Sequence, residues 1–268
     1  MPRSSRPVSL RPSIPAADGL VLRGELTYPH ARSGARHPLA VLAHQYPSTR
    51  DSFAPLCADL HALGVATLAF DLRGHGDSIW SPAGVRVAPT PAEPTMEAFG
   101  AAFMASASAI GFPHIADDIV RVAAWGLAQN SIDRSRLLLV GASVGGTGVL
   151  LAAPRLAAVL RGVLTFGAAG AGVHSADAME RIRANCEAVT VPMLLATSDK
   201  DPFDGANNAR TWSEGLAHVG TRIVPGADHG MAIYHTVRRD VMAFAKRSIA
   251  ASARAPGRPG LTRRSARR

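Results

Sequence analysis

Residues 137–151, Leu137-Leu138-Leu139-Val140-Gly141-Ala142-Ser143-Val144-Gly145-Gly146-Thr147-Gly148-Val149-Leu150-Leu151, decide the reading of this chain. A short apolar run, as in a buried strand, stops at Gly141. A small-residue stretch with helical character begins at Val144, and Ser143 sits between them. This is the G-x-S-x-G pattern of a nucleophile elbow, in which glycines allow a tight turn that lifts the serine hydroxyl out of the sheet. The five residues alone are a weak signal, so the flanking strand and helix carry the weight. The bland alternative is a glycine-rich strand-to-helix turn with no chemistry.

Working outward, apolar runs and helical stripes alternate. Leu20–Thr27, Leu39–Ala43, Val65–Phe70, Leu137–Val140, Gly162–Phe166, Val191–Thr197 and Thr221–Val224 read as strands. Helices are expected from Asp51 to Gly64, over Ile115–Leu127, over Asn207–Ala217 and over Tyr234–Ala250. An Ala-rich helical segment bears Met96, Phe99, Phe103 and Ile110 on one face. Alternation of this kind predicts an α/β class: a mostly parallel central sheet with helices on both faces and a minimal cap. In such sheets ligands bind beyond the carboxyl ends of the strands. The polar clusters His44–Arg50, Asp71–Ser78, Ser143, Asp199–Asp201 and Asp228–His229 all fall at strand ends and are expected to converge there.

Length and composition fit one large domain. The chain has 268 residues, 47% of them hydrophobic. The expected organisation is a flexible N-terminal lead over 1–18, a domain over 19–250 and a disordered basic tail over 251–268. Residues 79–112 are an insert, read either as a surface helix on the core or as a lid. The formal charge of +9 lies in the ends: residues 251–268 carry six arginines and residues 1–12 three, without an acid. The remainder is balanced, and no recognition motif accompanies the charge, so no specific nucleic-acid partner is expected. No apolar run approaches the roughly 18 residues needed to span a bilayer, and the N-terminus lacks an apolar signal core. A cytoplasmic protein without a membrane partner is therefore expected. Cys57 and Cys186, with no CxxC, write neither a disulfide framework nor a zinc cluster.

A serine hydroxyl needs a base within hydrogen-bond reach, and the base needs an acid to set its tautomer. Ser143 is the expected nucleophile. His229, in a late glycine-flanked loop, is the expected base, against the commoner role of a surface histidine. Asp199, Asp201 and Asp228 are the acids on offer. Asp228 adjoins His229, and neighbouring side chains in an extended loop point apart. Asp199 and Asp201 both follow a strand and precede the histidine. Asp201, at an Asp-Pro turn, is favoured, with Asp199 in reserve. A tetrahedral intermediate needs two fixed N–H donors. Val144, just after the serine, supplies one and Tyr46 is chosen for the other, since Pro47 has none. His44 and His75 read as loop-shaping hydrogen bonders. The i, i+4, i+6 spacing of Asp71, His75 and Asp77 could hold an ion, but no second ligand set is evident, and no metal is expected.

Taken together, His44-Gln45-Tyr46-Pro47, Asp71-Leu72-Arg73-Gly74-His75-Gly76-Asp77-Ser78, Gly141-Ala142-Ser143-Val144-Gly145-Gly146, Asp199-Lys200-Asp201-Pro202 and Gly226-Ala227-Asp228-His229-Gly230 resemble, in order and spacing, the α/β-hydrolase superfamily across residues 20–250. The compact chain looks similar to dienelactone-hydrolase-like and small acyl-esterase members. The resemblance implies Ser143, Asp201 and His229 as a catalytic triad and the backbone N–H groups of Tyr46 and Val144 as an oxyanion hole. It departs from the family at Gln45, where the family loop usually reads His-Gly. A second departure is the insert at 79–112, since many relatives carry a cap after the strand matching Gly162–Phe166. The implied activity is hydrolysis of a small-molecule ester or thioester through an acyl-Ser143 intermediate, with no cofactor. Acyltransferase, peptidase and perhydrolase chemistry use the same triad, and a binding protein without turnover is the competing class. If the insert covers the site, Met96, Phe99, Phe103 and Phe112 favour a hydrophobic acyl chain.

Overall fold

The computed structural model describes residues 9–29, 36–80 and 95–250. In chain order the elements are β1 (Ser9–Leu10), β2 (Ser13–Pro15), β3 (Val21–Thr27), β4 (His37–Ala43), α1 (Ala54–Ala62), β5 (Ala66–Phe70), α2 (Met96–Ile110), α3 (Ile115–Leu127), β6 (Ile132–Ala142), α4 (Val144–Leu156), β7 (Leu160–Phe166), α5 (Ala178–Ala188), β8 (Met193–Ser198), α6 (Gly205–Ser213), β9 (Val219–Val224) and α7 (Tyr234–Ala250).

The sheet runs β1-β3-β5-β4-β6-β7-β8-β9, with β2 pairing with β3. Pairs from β5 through β9 are parallel, and those of β3 with β1, β2 and β5 are antiparallel. The sequence pattern explains which strands lie inside. β4 is apolar from Leu39 to Ala43 and every residue of it is buried, as a strand covered on both faces must be. β3 alternates, burying Leu22, Gly24 and Leu26 and leaving the residues between them half-buried. One face of the sheet packs Ile119, Val122, Leu150, Ile182 and Trp212. The other packs Phe53, Leu56 and Leu60 with Val237, Val241 and Phe244. Burying side chains of this kind contributes about 1.5–3 kcal/mol each. α3 and α7 run over the residues that their stripes predict.

Other segments differ from expectation. The lead expected over residues 1–18 is in its described part an ordered edge: Ile14 and Ala16 are buried, and Ser13–Pro15 pairs with Val21–Arg23. The Pro/Ser-rich composition concealed two buried apolar side chains. β6 begins at Ile132, five residues before the apolar run, because its polar start lies at the sheet's end, where Ile132 pairs with His37. Residues 167–190 contain a helix, α5, that buries Ala178, Ile182 and Cys186 at helical spacing. Within the insert, residues 81–94 lie outside the described residues, as do 1–8 and the tail 251–268. α2 is capped by Thr95, whose Oγ1 accepts from the Ala98 N–H at 3.1 Å, and ends at Gly111 in the left-handed region. Among the described residues no single helix is long and apolar enough to cross a membrane.

Candidate active site

Ser143 lies between β6 and α4 with φ 51° and ψ −120°, a left-handed conformation costly for a residue with a side chain. The glycines around it serve close approach. A Cβ on Gly141 would overlap the carbonyl of Gly145, and one on Gly145 would overlap the carbonyls of Ala43 and His44. The first turn of α4 thus packs directly against the end of β4. The Ser143 N–H donates to the Phe166 carbonyl at 2.9 Å, which ties the turn to the end of β7.

One residue beyond Phe166 the chain meets the other two residues of the expected triad. A Cβ on Gly167 would stand 2.8 Å from Asp201 Oδ2 and 2.9 Å from His229 Nδ1. His229 Nδ1 lies 2.9 Å and 2.8 Å from the two Asp201 carboxylate oxygens. Asp201 itself is buried, accepting from the Phe203 N–H at 2.9 Å and the Thr197 hydroxyl at 3.2 Å. With Nδ1 donating to this carboxylate, Nε2 is left with its lone pair. The reserve acid is placed elsewhere: Asp199 is exposed and accepts from the Gly226 N–H at 2.9 Å. Asp228 is exposed too, and its carbonyl accepts from the Ser198 hydroxyl.

The Val144 N–H is the first of α4, where helical N–H groups lack intrahelical acceptors and the helix end favours negative charge. The Tyr46 N–H belongs to the Gln45–Tyr46 peptide. The carbonyl of that peptide accepts from His44 Nδ1 at 2.7 Å, and His44 Nε2 accepts from the Leu72 N–H at 2.9 Å. His44 therefore shapes the loop. The Tyr46 ring stacks edge-on against Phe99 at 5.4 Å and Phe103 at 5.2 Å, both on α2. Phe99 lies 5.4 Å from Phe203, whose ring is 4.5 Å from that of His229. An arc of aromatic rings runs from Tyr46 through α2 and Phe203 to His229. Met96, by contrast, is exposed, and Phe112 is buried beneath Phe103.

Asp71, His75 and Asp77 do not face a common centre. Asp71 and Asp77 both pair with the Arg50 guanidinium, and His75 Nδ1 donates to the Arg73 carbonyl at 3.0 Å. Sequence reasoning missed Phe203, Thr197 and the reach of the Gln45 side chain. Only Gln45 carried a signal, as a departure from the family pattern.

Burial makes three histidines hard to protonate. His44 is pushed down to about 3, chiefly by burial and then by the neighbouring His75. His75 and His174 are each lowered to about 4, again by burial. The unfolded chain takes up these protons near the ordinary value of 6.5 and the folded chain does not. Their contribution therefore leaves stability untouched above pH 6.5 and erodes it as pH falls toward 4. Each costs about 1.4 kcal/mol per pH unit in that window. His75→Phe, which removes one such group, is expected to flatten the pH 6-to-4 slope of urea-unfolding stability by that amount. An unchanged slope would refute the assignment.

No family model matches the chain. It is similar to an uncharacterized 31.7 kDa protein of the traX-finO intergenic region of Escherichia coli, 31% identical over 129 residues. That match covers 48% of this chain and 36% of the relative, so the chain spans about a third of the relative's length. Among solved structures it is similar to a dienelactone hydrolase from Anabaena variabilis, with a TM-score of 0.63 and 19% identity over 93% of this chain and 100% of that one. Est1E from Butyrivibrio proteoclasticus gives 0.63 and 16% over 90% and 99%. TT1662 from Thermus thermophilus gives 0.66 and 19% over 92% and 100%. These likenesses cover 90% or more of the chain: it has the α/β-hydrolase fold.

Proposed function

We propose that the protein is a serine hydrolase that cleaves a small-molecule carboxylic ester or thioester through an acyl-enzyme on Ser143. The observation that carries this reading is the buried Asp201 carboxylate held on His229 Nδ1, with Gly167 packed against that pair and the preceding Phe166 carbonyl accepting from the N–H of the strained Ser143. In this mechanism His229 Nε2 takes the Ser143 hydroxyl proton as the oxygen attacks the acyl carbon. The N–H groups of Tyr46 and Val144 stabilise the oxyanion. His229 then returns the proton to the leaving alcohol or thiol. Water, activated the same way, releases the acid and regenerates Ser143. Apart from the substrate and the attacking water, the proposed steps draw on groups of this chain. The ring arc of Tyr46, Phe99 and Phe203 favours an apolar or aromatic acyl group, with α2 supplying Phe99 to that side of the site. Est1E, a relative in fold, has been solved with ferulic acid, an aromatic acid, bound.

A fluorophosphonate probe is expected to label the purified protein at Ser143, located by mass spectrometry, with labelling lost in Ser143→Ala. On a panel of esters, apolar and aromatic acyl groups are then expected to outrun acetate, and Phe99→Ala to erase the preference. No labelling of folded protein would overturn the reading and favour a binding protein without turnover.

A further inference from the structure

Gln45 stands where a glycine is usual, and its side chain does something a glycine could not. Its Oε1 accepts from the Met231 N–H at 3.0 Å, a contact across 186 residues of sequence. The carboxamide fills the space beside Gly230: a Cβ on Gly230 would lie 2.5 Å from Gln45 Oε1 and 2.8 Å from Cδ. Gly230 has φ +60° and directly follows His229, so the bond fixes the backbone that carries the imidazole. The other end of Gln45 is fixed as well. Its own carbonyl is held by His44, and that carbonyl belongs to the same planar peptide as the Tyr46 N–H. One residue thus joins the peptide proposed to bind the oxyanion to the loop bearing the proposed base.

Resting on the hydrolase reading above, we propose that Gln45 is a positioning residue that sets the distance between the His229 imidazole and the Tyr46 N–H. A rigid strut of this kind acts on geometry that matters at the transition state, where a 1 Å misplacement costs about 100-fold. It therefore governs kcat more than KM.

The test compares wild type, Gln45→Leu and Gln45→Glu. Leu keeps the volume and removes the acceptor; Glu keeps the acceptor and adds a negative charge beside His229. Gln45→Leu is expected to lower kcat about 10- to 100-fold with KM changed less than about threefold. Gln45→Glu is expected to recover most of kcat and to move the acidic limb of the kcat/KM profile to higher pH, because a nearby anion favours the imidazolium. Hydrogen exchange in a peptide containing Met231 gives a readout independent of turnover: protection of that amide is expected in wild type and Glu and lost at least tenfold in Leu. Unchanged kcat in Gln45→Leu, or unchanged Met231 exchange, would overturn the proposal while leaving Ser143 labelling as the separate test of the hydrolase reading. An equal loss of kcat in Leu and Glu would overturn it too, since the acceptor would then not be what matters.

Discussion

Asp201→Asn is expected to lower kcat by about 10⁴-fold while the protein stays folded and KM changes little. The reason is proton bookkeeping at one nitrogen. A carboxylate only accepts, and Asp201 accepts from His229 Nδ1, the Phe203 N–H and the Thr197 hydroxyl. That arrangement keeps the proton on Nδ1 and leaves Nε2 basic. His229 Nδ1 faces both carboxylate oxygens, so an amide that puts its NH₂ in place of Oδ1 sets it against the Phe203 N–H, a second donor, whereas NH₂ in place of Oδ2 keeps the Phe203 bond and can donate to the Thr197 hydroxyl and to Nδ1. The second arrangement is favoured, and it moves the imidazole proton to Nε2, away from the tautomer that accepts the Ser143 proton in the proposed mechanism. Asp199→Asn is the matched control: its carboxylate is exposed and accepts from the Gly226 N–H, away from His229 Nδ1, so kcat is expected to change less than about twofold. Steady-state kinetics of the two variants decides between the acids. Activity retained in Asp201→Asn and lost in Asp199→Asn would reverse the assignment.

The choice between those acids shows where the sequence stops being legible. Both follow the apolar run of β8 and precede the histidine, so order and spacing leave them equivalent. What separates them is space: a Cβ on Gly205 would lie 2.6 Å from Asp201 Oδ2, and Gly167 leaves similar room from β7. Those contacts join residues far apart in the chain. The same holds for Gln45 and Met231. The apolar strands, in contrast, announce themselves, because Leu39–Ala43 and Leu137–Val140 must be continuous hydrophobes to be covered on both faces. α3 was readable to the residue because Ile115, Ile119 and Val122 recur at helical spacing up to a polar end. β1 and β2 were hidden for the opposite reason: too short for a period, they exist because β3 offers an edge to pair with.

The largest effect on stability is expected from Asp118→Ala. Arg73 is a buried cation. Its Nε and Nη2 reach the Asp118 carboxylate at 2.7 Å and 3.0 Å, and Nη1 reaches Asp18 at 2.9 Å and the Ile110 carbonyl at 3.0 Å. Burial opposes the charge, and the bonds to Asp118 more than restore it, holding the guanidinium above its ordinary range. With Asp118 gone, the cation keeps, among the described residues, the neutral Ile110 carbonyl and one carboxylate, Asp18, whose side chain is 42% exposed and screened by water. An uncompensated buried charge costs about 3–5 kcal/mol, which for a domain of this size lowers Tm on the order of 10 °C. Asp18→Ala is expected to cost less than about 1 kcal/mol. Replacing both partners, as in Arg73→Met with Asp118→Leu, is expected to recover most of the loss, because it removes the stranded charge. Urea melts of the three variants test the scheme, and an Asp118→Ala midpoint equal to wild type would sink it. The consequence reaches the proposed substrate pocket. The Ile110 carbonyl ends α2, the helix carrying Phe99 and Phe103, so this guanidinium pins the aromatic arc to α3 and to the segment before β3. Asp118→Ala should therefore weaken acyl-group preference at temperatures where the variant is still folded, an effect that loss of global stability alone would not produce.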